Sequence, residues 1–181
     1  MLRRRRPPED PLGHVDPAAA PPRLAGVVAG ALESRRRYHD MVAGLRPGAV
    51  RDRLVETGER VDAGVAAVWA AAQRAGELER LLDTLDPERV TAEYKRVKRS
   101  GADPALEAAL AQSFGSVQRL LNSLDDTEER LHLLDARLSA AVARAAEVAL
   151  GGGTGADEVG AELDGVVSEL TALRAALDEV G

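Results

Sequence analysis

LEAALAQSFGSVQRLLNSLDDTEERLHLLDARLSAAVARAAEV, residues 106–148, decides the fold. Its positions 106, 110, 113, 117, 120, 124, 127, 131, 134, 138, 141, 145 and 148 hold Leu, Leu, Ser, Val, Leu, Leu, Thr, Leu, Leu, Leu, Ala, Ala and Val. Eleven of these 13 are apolar, and the alternation of four and three residues never breaks. That spacing keeps one stripe of a helix in register with a neighbouring helix, which is a coiled-coil seam. Asp103-Pro104 supplies the start signal, an N-cap followed by proline in the first turn.

Downstream, GGGTG at 151–155 closes the helix and reads as a flexible linker. It is not a phosphate loop: no Lys-Ser/Thr pair follows, and Asp157 and Glu158 would repel phosphate. From Asp157 the heptad resumes without a fault through Val159, Leu163, Val166, Leu170, Leu173, Leu177 and Val180. This last helix carries seven acids against Arg174 alone. Pairing it in parallel with its own copy would set like charges side by side. Folding back within the chain meets Arg51, Arg53, Arg60, Arg137 and Arg144 instead, and a short linker favours the local partner.

Upstream, Asp86-Pro87 repeats the start signal and opens a helix over 87–99, with Val90, Tyr94 and Val97 on one face. Ser100-Gly101 ends it. A longer helix is expected over 49–85, along Leu54, Thr57, Val61, Gly64, Val68, Ala71, Ala75, Leu78, Leu82 and Leu85. Its first half is rich in Gly and Ala, so it relies on close tertiary packing, with Trp69 as the one large plug. A first helix over 24–45 follows Leu24, Val28, Ala31, Tyr38, Val42 and Leu45, with Arg35 as the exception. Pro47-Gly48 breaks it. Residues 1–23, with six prolines and the Arg3–Arg6 run, read as a disordered tail.

Lengths decide how these helices stack. At 1.5 Å per residue the helix that carries 106–148, about 46 residues in all, spans about 70 Å, the 49–85 helix about 55 Å, and 49–99 as a kinked arm about 75 Å. The kinked arm therefore matches the long helix antiparallel, with the turn near Gly101. The first and last helices fold onto the opposite end. The expectation is all-α: an elongated antiparallel bundle, a four-helix base with a projecting two-helix arm. The chain divides into a Pro/Arg-rich tail (1–23), a helical hairpin bundle (24–150), a Gly-rich linker (151–156) and an acidic heptad helix (157–181).

Composition agrees. The 181 residues contain 24 Leu, 18 Val and 33 Ala, no Ile, no Cys and four aromatics, and carry a net charge of −6. Such a chain matches long helices better than a sheet-containing core. Absence of cysteine removes disulfides and thiolate metal sites. Arginine outnumbers lysine 22 to 2, a bias expected of a GC-rich, bacterial coding sequence. No stretch reaches the ~18 apolar residues of a membrane span. Leu24–Leu32 is long enough for a signal-peptide core, but Arg35–Arg37 follow at once, so a cytoplasmic helix is expected there.

No Ser-His-acid grouping or Cys-His pair occurs, so no catalytic residue, cofactor or enzymatic activity is expected. Glu129 and His132 form one E-x-x-H, but a carboxylate-bridged metal bundle needs two such pairs plus further glutamates. Their neighbourhood, Asp125–Arg130, reads as a solvated face. Lys95, Arg96, Lys98 and Arg99 stand at the expected arm tip beside Tyr94. They could contact an anionic partner, or simply complement the helix dipole. The function expected is a non-enzymatic coiled-coil interaction or scaffold protein. Its partner would be another protein helix or a second copy, with no small-molecule substrate. The alternative is a peripheral binder of anionic membrane surfaces or nucleic acid; the net acidity disfavours nucleic acid.

Overall fold

The computed structural model describes residues 10–101, 103–151 and 155–180. Five α-helices account for most of them: α1 (Ala25–Gly44), α2 (Ala49–Leu85), α3 (Pro87–Ser100), α4 (Pro104–Gly151) and α5 (Ala156–Val180). No strand occurs among the described residues. The helices pack into one all-helical body. α1 lies against α2 and α4, α5 lies against α2 and α4, and α2 lies against α4. α3 packs on α4 and meets α2 only at their junction.

The core follows the seams. Leu54, Val61, Val68, Ala71 and Ala75 of α2, Leu131, Leu138, Ala141 and Ala145 of α4, and Val159 and Leu170 of α5 are fully enclosed. Close approach is built in: a Cβ at Gly58 would stand 3.3 Å from the His39 ring and 3.4 Å from the Tyr38 ring. Tyr38 and Ser34, polar groups inside this core, find hydrogen-bond partners. The Tyr38 hydroxyl donates to the Leu54 carbonyl (2.7 Å), and burial pushes its pKa up to about 12. Ser34 and Ser139 hydroxyls bond across α1 and α4 at 2.9 Å.

α5 is fastened at its rim as well as along its seam. Arg53 meets Asp157 (3.4 Å) and Arg60 meets Asp164 (2.8 Å) from α2; Arg137 meets Glu169 (2.6 Å) and Arg144 meets Glu162 (2.8 Å) from α4. Each such surface pair contributes roughly 0.2–1 kcal/mol. They select the register, while the buried Leu and Val supply most of the stability. Of the expected α5 seam, the Val180 side chain lies outside the described residues.

Three expectations are corrected. Residues 10–23 are not a disordered tail. Leu12, Ala20 and Leu24 are buried, Asp16 caps a short 3-10 turn over Pro17–Ala19, and Arg35 anchors Asp10 with two hydrogen bonds of 2.7 and 3.0 Å. Arg35, the break in the α1 seam, also bonds Asp62 of α2 at 2.7 Å. It ties three segments together, which is why an apolar residue is absent there. Residues 1–9 of that tail lie outside the described residues. The linker expected over 151–156 is shorter: Gly151 ends α4 and Ala156 begins α5, and residues 152–154 lie outside the described residues. The 125–130 segment is not merely a solvated face. Arg23 bridges Asp125 (3.5 Å) and Glu128 (3.1 Å) of α4 to Glu79 (3.1 Å) of α2.

Candidate functional site

α3 owes its position to Asp86. This residue takes a left-handed conformation (φ 51°), which aspartate tolerates better than most residues. It ends α2 and caps α3 at once, its carboxylate accepting from the Arg89 N–H at 3.1 Å. Pro87 then occupies the first turn without losing a hydrogen bond. The chain changes direction at this point. α3 runs 14 residues and stops at Gly101, whose φ of 61° suits a residue without Cβ.

Against α4, α3 buries Val97 and half-buries Val90 and Tyr94. Tyr94 stacks on Phe114 with ring centroids 4.8 Å apart and planes 19° from parallel. Phe114, one residue after the seam position Ser113, thus faces α3. The expected seam is corrected here: Leu106 is 48% exposed and Ser113 is exposed. Phe114 is half-buried beside exposed Ser113, while Leu110, Val117 and Leu120 keep their expected places, half-buried, buried and half-buried. At the root, Leu85 is also exposed rather than enclosed.

Lys95, Arg96, Lys98 and Arg99 are all exposed, and among the described residues none of them forms an ion pair. They include both lysines of the chain. They do not make one patch. At ~100° per residue they spread over roughly 160° of the helix circumference. Lys98 sits 5.6 Å over the Tyr94 ring, a cation–π contact on one side. Arg99 donates through Nε to the Lys95 carbonyl at 3.1 Å. Lys95 and Arg99 turn toward the other side, where they border a groove of about 530 Å³ with Pro87, Glu88, Thr91, Ala92 and Leu121. The groove was missing from the sequence-level expectation. Its signal was available: residues 88, 91, 92, 95 and 99 share one stripe of a helix.

A second cleft, about 460 Å³, lies where Trp69 and Gln73 of α2 meet His14 and Arg174. Its cations are consumed internally, Arg74 by Glu77 (2.7 Å) and Asp178 (3.0 Å), and Arg174 by Asp178 (4.0 Å). Trp69 is buried beside it, as a plug should be. Among the described residues no cluster of three or more His, Cys, Asp or Glu could hold a metal ion, Glu129 and His132 included. No described helix is long and apolar enough to cross a membrane.

No family model, curated protein or solved structure matches this chain.

Proposed function

We propose that the protein is a non-enzymatic, cytoplasmic helical scaffold: an elongated four-helix base of α1, α2, α4 and α5 that presents the α3–α4 hairpin as a recognition arm. The ligand is a protein helix, of another protein or of a second copy of this chain. One contrast carries this function. Where α4 has three neighbours its seam is closed, with Leu131, Leu138, Ala141 and Ala145 at 0% exposure. Where it has only α3, Leu106 and the groove at Ala92 and Leu121 stay open beside uncommitted cations.

The test places a photo-crosslinking residue at Leu106 on the arm and, separately, at the exposed Val55 of α2, in cells expressing the full chain. Protein adducts at 106, absent at 55 and lost when Lys95, Arg96, Lys98 and Arg99 are reversed to glutamate, support the function. Absence of protein adducts at 106 overturns it. Salt-sensitive co-sedimentation of the purified protein with anionic vesicles or duplex DNA, removed by the same reversal, would favour the anionic-surface alternative.

A further inference from the structure

We infer that the α3 groove receives a second copy of this chain, α3 against α3 in antiparallel orientation. The inference rests on the recognition role proposed for the arm. The groove stripe of α3 reads Glu88, Thr91, Ala92, Lys95, Arg99: an acid at the root, small side chains in the middle, cations at the tip. A two-fold axis between Thr91 and Ala92 maps this stripe onto its own complement. Antiparallel helices pair residues whose numbers sum to a constant. With Thr91 opposite the second copy's Ala92, Glu88 falls opposite the second copy's Lys95, twice per dimer. Arg99, one turn nearer the tip, then approaches the acidic α2–α3 junction of the second copy at Asp83 and Asp86. A self-complementary patch of this kind is what an isologous contact requires.

Three observations support it. Among the described residues Glu88, Lys95 and Arg99 form no ion pair, so their charges are not already committed. Ala92 is exposed and Thr91 half-exposed, so two helices can approach closely at the centre. Leu121 of α4 lies in the groove and supplies an apolar flank on each side of the axis. α3 is about 21 Å long at 1.5 Å per residue. The interface therefore sits at the small end of stable contacts. The dimer is concentration-dependent and loosened by salt.

Sedimentation velocity on the full chain, from low to high micromolar concentration at low and high salt, tests this. The wild type dimerises at low salt and dissociates as salt rises. Glu88→Lys and Lys95→Glu each raise the dissociation constant about tenfold or more, because each places like charges opposite one another twice. The double swap in one chain restores the dimer. A wild type that stays monomeric at low salt, or a double swap that fails to restore association, overturns the inference. Circular dichroism melts separate unfolding from lost association, and Ala92→Arg gives an independent steric block. A photo-crosslinker at Ala92 distinguishes the two proposals. Adducts of twice the chain mass support self-pairing. Adducts with other proteins only defeat self-pairing and leave the scaffold function standing.

Discussion

The two halves of α4 live in different surroundings. From residue 124 to 148 the seam of α4 is buried in the core that α1, α2 and α5 share; from 104 to 116, where Tyr94 of α3 stacks on Phe114, every side chain is half-buried or exposed. A helix stripe needs neighbours on both flanks to lose its water. With three partners the stripe closes and the polar rim is engaged in ion pairs. With one partner even a leucine on the stripe, Leu106, keeps nearly half its surface in water. Buried seam leucines are concentrated in the first region, and seam positions open to water in the second.

Substitutions sharpen that contrast. The largest effect is expected in the enclosed half. Leu131→Asp and Leu134→Asp each bury an unpaired carboxylate and should cost several kcal/mol. Leu133, 58% exposed between them, should tolerate the same change. Thermal melts of the three variants check this; equal midpoints would mean the enclosed face is misassigned.

Next comes the α1–α4 contact. A Cβ on Gly30 would stand 2.8 Å from Oδ2 of Asp135, so Gly30→Ala makes the carboxylate swing aside, and the ~1 kcal/mol of helix propensity gained offsets much of that cost. With Asp135→Ala in place the same change should stabilise by up to about 1 kcal/mol, measured by urea denaturation. Asp135 also has a buried Oδ1 with no hydrogen-bond partner among the described residues. Burial raises its pKa, and His132 opposes this only in part. A raised folded-state pKa in an acid favours the protonated form. Asp135 therefore costs nothing below the ordinary aspartate range and costs stability as pH rises through its raised value. Asp135→Asn should stabilise at neutral pH and lose that advantage in acid.

A smaller effect is expected at Asp10. The Arg35 hydrogen bonds hold its pKa below the ordinary range, so its contribution is present above that range and lost as pH falls through the lowered value. The carboxylate is half exposed, so Asp10→Asn should cost only a few tenths of a kcal/mol. Faster amide exchange over 10–20 would report the released segment. Least affected is the C-terminal end of α3. Reversing Lys95, Arg96, Lys98 and Arg99 to glutamate should change stability by no more than about 0.5 kcal/mol per site. Loss of helical signal in that variant would give the cluster a structural role instead.

What the sequence made legible was whatever depends on local periodicity and capping. The Asp86-Pro87 cap, the stop at Gly101 and the enclosed seam of α4 from Val117 to Val148 all follow from spacing alone. So did most of the arginines that hold α5, because seven acids on one helix needed cations nearby. Long-range geometry was not legible. Arg35 looked like a flaw in a stripe, since nothing local shows that Asp10 and Asp62 converge on it. Phe114 lies one residue off the seam, and its stack on Tyr94 exists only once α3 lies on α4. Glu88 and Ala92 carry no motif, and they matter only where Leu121 closes a groove against them.

Residue-resolved hydrogen–deuterium exchange on the dilute full chain tests the division of labour most directly. The account predicts strong protection over 124–148 and 156–177, and weak protection over 87–100 and 104–113, rising on the α3 stripe alone as concentration increases. Uniform protection along α4 at dilution, or concentration-dependent protection on α1, α2 or α5, would contradict it.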